Sequence, residues 1–169
     1  MTGVQTCALP IFANPGNPTG TYISNSEMTR LRDGLSADVL LVIDSAYAEF
    51  VDAGDYSPGW ELVDSGKDNV IMTRTMSKMY GLAGLRIGWA YASEPIIEVL
   101  NKVRPGFNVN SAAIAAGIAA IEDLDHEEKT KAYNDKLKPW FEAQLIDRKT
   151  SGHCQTSLST CHHHFARHR

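Results

Sequence analysis

A continuous apolar run from Val39 to Ile43, closed by Asp44, constrains the fold of this chain more than any other feature. Such runs are typical of strands that are covered on both faces, as in parallel sheets flanked by helices. In open α/β sheets, ligands bind beyond the carboxyl ends of the strands. Asp44 and the nearby Tyr47 therefore lie where a binding site is expected.

A second segment has the composition of a cofactor site. Thr75, Ser77 and Lys78 precede a glycine-punctuated apolar run, and Arg86 follows eight positions after the lysine. Only lysine supplies a primary amine that can form a Schiff base with a cofactor aldehyde, as in enzymes that use pyridoxal phosphate (PLP). Hydroxyls and the planar guanidinium fork suit a dianionic phosphate. The alternative is an ordinary strand and turn with a solvated lysine and arginine.

The turn-rich segment 14–20 completes the candidate site, because it contains Asn17. Asn17 and Tyr47 can donate hydrogen bonds to the phenolic oxygen of PLP. A carboxylate such as Asp44 keeps a facing pyridine nitrogen protonated, which turns the ring into an electron sink. Taken singly, Asp44 is equally well a turn former and Tyr47 a packing residue. The ordered set with Lys78 and Arg86 is hard to explain by packing alone.

Four blocks carry a resemblance to a known family: residues 14–21, 43–50, 77–89 and 104–111. They resemble the large domain of fold-type-I aminotransferases, and most closely the histidinol-phosphate aminotransferase family. The first three blocks are widely shared, whereas Phe107-Asn-Val-Asn110 is more specific to that subfamily. Ser45 stands where the family usually has glutamate, and Gly106 where it often has proline. Neither position carries the core chemistry, so the resemblance stands.

The resemblance implies a role for each candidate residue. It makes Lys78 the Schiff-base lysine, Asp44 the partner of the pyridine nitrogen and Tyr47 a catalytic residue near the phenolic oxygen. The residues expected to bind the PLP cofactor are Asn17, Asp44, Tyr47, Thr75, Ser77, Lys78 and Arg86. The implied reaction is amino transfer between histidinol phosphate and 2-oxoglutarate in histidine biosynthesis. The implied partners are a small-molecule amino donor and a keto acid, with a homodimer as the assembly.

The resemblance does not extend over the whole chain. We expect residues 13–145 to form a partial PLP-binding large domain of α/β fold, with a mostly parallel sheet flanked by helices. Residues 1–12 read as a leader foreign to the family, and residues 146–169 as a disordered or frameshifted tail. The arginines that the family places in its small domain are not in this sequence, so we expect the 169-residue chain by itself to be inactive.

Composition narrows the function further. A formal net charge of −4 and a pI near 5.8 argue against a nucleic-acid partner, and no apolar run approaches the roughly 20 residues of a membrane span. The cysteines, Cys7, Cys154 and Cys161, lie in the suspect ends, which fits a reducing cytoplasm. The histidine-rich tail lacks the ligand spacing of structural zinc, so no metal site is predicted.

Alternative functions remain open at this point. A PLP-dependent threonine-phosphate decarboxylase shares the Asn, Asp and Ser-Lys pattern, and an aromatic or aspartate aminotransferase shares most of it. The third alternative is a non-functional fragment. A dinucleotide loop is excluded, because the spacing of Gly81, Gly84 and Gly88 is wrong for one.

A coarse secondary-structure prediction places these motifs. The predicted elements are a strand ending near Ala13, a helix over 24–35, strands over 39–44 and 69–74 with a short helix 61–64 between them, an antiparallel strand 86–92, and helices 94–103, 111–122 and 126–145. Ser24 and Glu27 form a predicted capping box. We expect the alanine-rich helix 111–122 to be buried.

Overall fold

The computed structural model describes residues 10–66 and 68–150, with side chains described as far as residue 146. The strands are β1 Ile11–Ala13, β2 Leu41–Asp44, β3 Val70–Thr75 and β4 Gly88–Ala92. The helices are α1 Asn25–Asp33, α2 Trp60–Asp64, α3 Glu94–Val103, α4 Ser111–Glu122 and α5 Leu124–Thr150, with single 3-10 turns at Ala48–Phe50 and Ala83–Leu85. Each predicted element occurs at, or within a few residues of, its predicted position.

The four strands form one mixed sheet in the order β1-β2-β3-β4. The first three are parallel, with Ala13 opposite Asp44 and Asp44 opposite Thr73, and β4 pairs antiparallel with β3. The expected mostly parallel α/β sheet is therefore confirmed. Because parallel strands share one direction, the residues that follow β1, β2 and β3 emerge at the same edge of the sheet.

Helix α1 is packed against one face of the sheet and begins at the predicted capping box. The Ser24 side chain accepts a hydrogen bond from the Glu27 amide, and the Glu27 carboxylate accepts one from the Ser24 amide. These two bonds satisfy amide donors that a helix start leaves free. The core behind the sheet consists of Met28, Leu41, Ile43, Leu62, Val63 and Val70, with Phe12, Ile23 and Leu35 packed around it.

Two burial predictions were wrong in part. In β2, Leu41 and Ile43 are fully buried but Val42 is only half-buried, so one face of the strand is covered less completely than the apolar run suggests. In α4, only Ala113 and Gly117 are buried among the described residues. The helix contacts the rest of the chain along this narrow stripe of small residues.

The contact made by α4 explains why its burial is limited to one stripe. A Cβ at Gly117 would lie 3.0 Å from Ile87 Cδ1 and 3.3 Å from Met76 Sδ, so the helix backbone approaches closely there. The opposite face carries Ile114 and Ile118, which are 49% and 57% exposed. A high alanine content permits close packing on one side, but it does not cover the other side.

The predicted ends of the domain are only partly within the described residues. Residues 11 and 12 of the predicted leader belong to β1, and residues 1–9 lie outside the described part. Helix α5 continues to Thr150, past the predicted start of the tail at residue 146, and residues 151–169 lie outside. Among the described residues, no helix combines the length and apolar character needed to cross a membrane.

Candidate active site

The candidate site lies at the edge of the sheet where the three parallel strands end. β1 leads into the turn that carries Asn17, β2 ends in Asp44 and leads to Tyr47, and β3 ends three residues before Lys78. The strand register holds Asp44 directly between Ala13 and Thr73. The topology therefore brings three distant sequence segments to one edge, as the apolar strand pattern predicts.

Lys78 is exposed, and its amine faces Tyr47. The Nζ atom lies 5.2 Å from the centroid of the Tyr47 ring, which is within range of a cation–π contact. Within the described part of the chain, the amine has no hydrogen bond or ion pair. The loop after it is closed by a bond of 3.0 Å from the Gly81 amide to the Lys78 carbonyl, and Gly81 has a φ of 67° that suits glycine. The lysine is thus held on a turn with a free amine.

Tyr47 also contacts the third segment of the site. The Asn17 side-chain amide donates a hydrogen bond of 3.2 Å to the Tyr47 hydroxyl, although the two residues are 30 positions apart. Asn17 is exposed and Tyr47 is half-buried. The structure therefore brings together Asn17, Tyr47 and Lys78, and each of the three was a predicted site residue.

Asp44 forms a turn at the end of β2 and keeps one carboxylate oxygen without a partner among the described residues. Its Oδ1 atom accepts a hydrogen bond of 3.2 Å from the Ala46 amide, which is the pattern of an aspartate that forms a turn. No hydrogen bond to Oδ2 occurs among the described residues, and the side chain is half-buried at the strand end. One carboxylate oxygen therefore stabilises the turn, and the other is free to accept a hydrogen bond.

Of the three residues predicted to bind phosphate, Thr75 is the last residue of β3, and Ser77 and Arg86 lie on the connection between β3 and β4. The Thr75 hydroxyl accepts a hydrogen bond of 3.1 Å from the Ser77 amide. The Met76 amide donates to the Ile87 carbonyl at 3.2 Å, which extends the strand ladder toward Ser77 and Arg86. No direct hydrogen bond joins Arg86 to either hydroxyl residue in the part of the chain that is described.

Arg86 is held by its backbone conformation. It has a φ of 55°, in the left-handed region that few residues other than glycine adopt, and its Nη1 atom donates to the Ala83 carbonyl at 2.9 Å. Such strained positions are concentrated at functional sites. The side chain is exposed, so the remaining guanidinium donors can reach an anion.

Sequence reasoning missed the residue that closes the Asn17 loop. Asn14 is fully buried, and its side-chain amide forms two reciprocal hydrogen bonds with the Ile23 backbone, of 3.0 and 3.1 Å. The backbone carbonyl of Asn14 accepts a hydrogen bond of 2.8 Å from the Tyr56 hydroxyl. The only signal in the sequence was the repeated Asn-Pro dipeptide at 14–15 and 17–18. In the structure the first asparagine is buried and the second is exposed.

Three further polar features lie on the segments around the site. The Ser45 hydroxyl donates a hydrogen bond of 2.6 Å to the Pro58 carbonyl, so this departure from the family pattern has a structural role. Burial raises the pKa of the Tyr56 phenol far above its usual value, and the nearby charge of Arg74 opposes that shift. Arg74 itself forms a buried ion pair with Glu49, at 2.6 Å. Neither partner of this pair was predicted.

The chemistry of these side chains fits PLP. The cofactor needs an unpaired amine for its aldehyde, an acceptor for its ring nitrogen, donors for its phenolic oxygen and donors for its phosphate. Lys78, Asp44 and Tyr47 carry groups of the first three kinds at one sheet edge. Among the described residues, no group of histidine, cysteine and carboxylate side chains could hold a metal ion, and the histidine-rich tail lies outside them.

Comparisons with known proteins point to one family. The family model of class I and II aminotransferases matches residues 2–141. The histidinol-phosphate aminotransferase of Paramagnetospirillum magneticum is 56% identical over 136 residues, which are 80% of this chain and 37% of that protein. The corresponding protein of Maricaulis maris is 56% identical over 134 residues, again covering 37% of its length. The chain therefore spans little more than a third of the relatives that it matches.

Solved structures agree with the sequence comparison. The crystal structure of histidinol-phosphate aminotransferase from Sinorhizobium meliloti, in complex with pyridoxal-5'-phosphate, superposes with a TM-score of 0.77 at 32% identity. The match covers 83% of this chain and 38% of that one. The L-threonine-O-3-phosphate decarboxylase of Porphyromonas gingivalis superposes less well, with a TM-score of 0.56 at 30% identity over 66% of this chain and 33% of that one.

Proposed function

The chain belongs to the family of class I and II aminotransferases, and we propose that it forms the cofactor-binding part of a PLP-dependent histidinol-phosphate aminotransferase. The proposed reaction converts histidinol phosphate and 2-oxoglutarate to imidazole-acetol phosphate and glutamate. The observation that carries the proposal is the placement of the Lys78 amine 5.2 Å from the centroid of the Tyr47 ring. The Tyr47 hydroxyl in turn accepts a hydrogen bond from the Asn17 side chain. The choice of substrate is supported by 56% identity to proteins of that name.

Lys78 is proposed as the group that moves the proton. When PLP is bound, it supplies an aldehyde that captures the substrate amine and a ring that withdraws electrons from the substrate. The amine of Lys78 would act as general base and then as general acid, taking a proton from the substrate carbon and delivering it to the C4′ carbon of the cofactor. The amine lies on a turn and has no competing ion pair in the described part of the chain, which suits a group that must serve two atoms.

Asp44 and Tyr47 are proposed to stabilise the charges on the cofactor ring. The free Oδ2 atom of Asp44 would accept a hydrogen bond from the protonated ring nitrogen and so keep the proton on that nitrogen. The hydroxyl of Tyr47 and the amide of Asn17 would donate hydrogen bonds to the negative phenolic oxygen. The protonated ring nitrogen is the group that would draw electrons away from the substrate, so Asp44 is the residue that supports the electron sink.

The phosphate is proposed to bind at the β3–β4 connection. Thr75 and Ser77 offer hydroxyl donors, and Arg86 offers the planar fork of donors of a guanidinium. These residues would hold the cofactor through its phosphate while Lys78 is not covalently linked to it.

An amino-transfer assay tests the proposal directly. The protein expressed from its complete reading frame is incubated with PLP, histidinol phosphate and 2-oxoglutarate, and glutamate is measured. We expect glutamate to form, and we expect Lys78→Ala to abolish it while Lys102→Ala, an exposed lysine on α3, leaves it unchanged. Release of carbon dioxide from threonine phosphate, without glutamate formation, would contradict the proposal and favour the decarboxylase.

The assembly and the compartment belong to the same proposal. We propose a homodimer in the cytoplasm, on the basis of the family resemblance and of a described sequence without cysteine. Sedimentation of the complete protein should give twice the monomer mass. A stable monomer with full glutamate-forming activity would contradict this part of the proposal alone.

A further inference from the structure

A largely buried ion pair joins two of the elements that carry candidate site residues. Arg74 on β3 donates from Nη2 to Glu49 Oε1 at 2.6 Å, and the side chains are only 12% and 5% exposed. The guanidinium lies 5.7 Å from the centroid of the Trp89 ring, on the neighbouring strand β4. Arg74 and Trp89 are also register partners, so the pair is held from the side by the sheet.

Stability alone does not account for this pair. Removing two charges from water carries a large desolvation cost, and apolar replacements of buried ion pairs are often neutral or stabilising. Here the compensation is also incomplete, because Glu49 Oε2 and Arg74 Nε are buried without a hydrogen-bond partner within the described residues. Two buried atoms without hydrogen bonds make the pair a weak source of stability for a core. The elements that the pair connects are therefore a better guide to its role than its energy.

The position of the pair relates it to the reacting groups. Glu49 lies in the 3-10 turn that begins directly after Tyr47, and the Phe50 amide donates to the Tyr47 carbonyl at 3.1 Å. Arg74 is four residues before Lys78, at the end of β3. The ion pair therefore ties the turn that carries Tyr47 to the strand that delivers Lys78.

We propose that Glu49 and Arg74 are positioning residues that set the separation between the Tyr47 ring and the Lys78 amine. They act through those two residues and do not touch the reacting atoms. A salt bridge suits this task because its direction and length are more sharply defined than those of an apolar contact. The inference rests on the proposed function, since it assigns the ion pair a task in the PLP site.

The test separates positioning from simple stabilisation. The double variant Glu49→Leu/Arg74→Met replaces the pair by apolar side chains, and Glu49→Gln removes one charge at nearly constant volume. The matched control is Asp125→Ala/Lys129→Ala, which removes the ion pair between Lys129 and Asp125, with side chains 74% and 71% exposed. Each protein, from the complete reading frame, is measured for urea unfolding without PLP, for PLP absorption against pH, and for kcat and KM.

A positioning role predicts a specific combination of results. The double variant should unfold at a urea concentration close to that of the wild type. The pH midpoint of its PLP absorption change should move by at least about half a unit, because the groups around the lysine-linked cofactor are displaced. Its kcat should fall by about tenfold to a hundredfold, the usual cost of a small misplacement, with KM for histidinol phosphate little changed. The control should match the wild type in every measurement.

Other results would overturn the inference. A double variant with wild-type absorption midpoint and kcat would show that the pair has no positioning role. If the double variant does not fold, the same measurements are made on Glu49→Gln. A lower urea midpoint with an unchanged absorption midpoint and kcat would make the pair purely structural. A wild-type protein without any Lys78-dependent PLP absorption would instead overturn the proposed function, which is a distinguishable failure because it precedes any substitution at Glu49 or Arg74.

Discussion

Asn14 and Asn17 each precede a proline, and we expect their substitutions to have different effects. Replacing Asn14 should lower stability, and replacing Asn17 should lower activity. Asn14→Ala removes two hydrogen bonds to the Ile23 backbone from a position with no solvent exposure. Each backbone group that is left buried without a partner costs about 1–3 kcal/mol. Because Ile23 is half-buried and water can partly replace the lost bonds, we expect the free energy of unfolding to fall by about 3 kcal/mol.

Urea unfolding of the protein without PLP measures this loss. With a slope near 2 kcal/mol per molar, the midpoint should fall by about 1.5 M. The matched variant Asn17→Ala changes an exposed residue, so its free energy of unfolding should stay within about 0.5 kcal/mol of the wild type. Its effect should appear in kcat, because its amide contacts the Tyr47 hydroxyl.

The reverse pattern would refute the structural argument. If Asn14→Ala unfolded at the wild-type urea concentration, the two bonds to Ile23 would not hold the loop closed. If Asn17→Ala were as destabilising as Asn14→Ala, the exposed amide would be a structural residue and not a site residue. The slope of the unfolding curve must stay unchanged in both variants, since a changed slope reports a different unfolded state.

Three further predictions follow from single features of the structure. Asp44→Ala should slow amino transfer by about a hundredfold or more while PLP binding weakens much less, because the partner of the ring nitrogen acts mainly in the transition state. Single-turnover rates measure this loss. A rate near that of the wild type would mean that Asp44 only forms the turn. Gly59→Ala should lower the free energy of unfolding by about 1–3 kcal/mol, since Gly59 has a φ of 109° and a Cβ there would lie 2.7 Å from Ile43 Cδ1; an unchanged urea midpoint would contradict this. Burial raises the pKa of Tyr56, so the neutral phenol stabilises the fold fully below pH 10, its ordinary pKa, and this contribution is lost as the pH rises above 10. Tyr56→Phe should flatten the loss of unfolding free energy above pH 10, and an equally steep loss in the variant would mean that another group titrates.

Local patterns in the sequence were sufficient to predict most of the fold. The capping box at Ser24, the apolar run into Asp44 and the proline after Arg104 each fix one element through interactions between near neighbours. The parallel pairing followed because strands that alternate with helices favour parallel sheets. The exposure of α4 was not predictable in the same way, because alanine content indicates that a helix can be buried and not which surface covers it.

Candidate site residues could be proposed from the sequence where each side chain has a chemical role of its own. Lys78, Asp44 and Tyr47 carry groups that PLP chemistry requires, so their types and order were informative. Asn14 and the pair of Glu49 and Arg74 could not be assigned, because their roles depend on contacts between residues 9 to 25 positions apart. Such contacts depend on how the strands are arranged, which appears only in the folded chain.

The most direct test of the account is the identity of the lysine that binds the cofactor. The protein from the complete reading frame is loaded with PLP and reduced with borohydride, which makes the link between lysine and cofactor permanent, and its peptides are then mapped by mass. The account predicts that the modification lies on Lys78, the amine over the Tyr47 ring. Modification at Lys102 or Lys67 in place of Lys78 would contradict the site and the mechanism built on it.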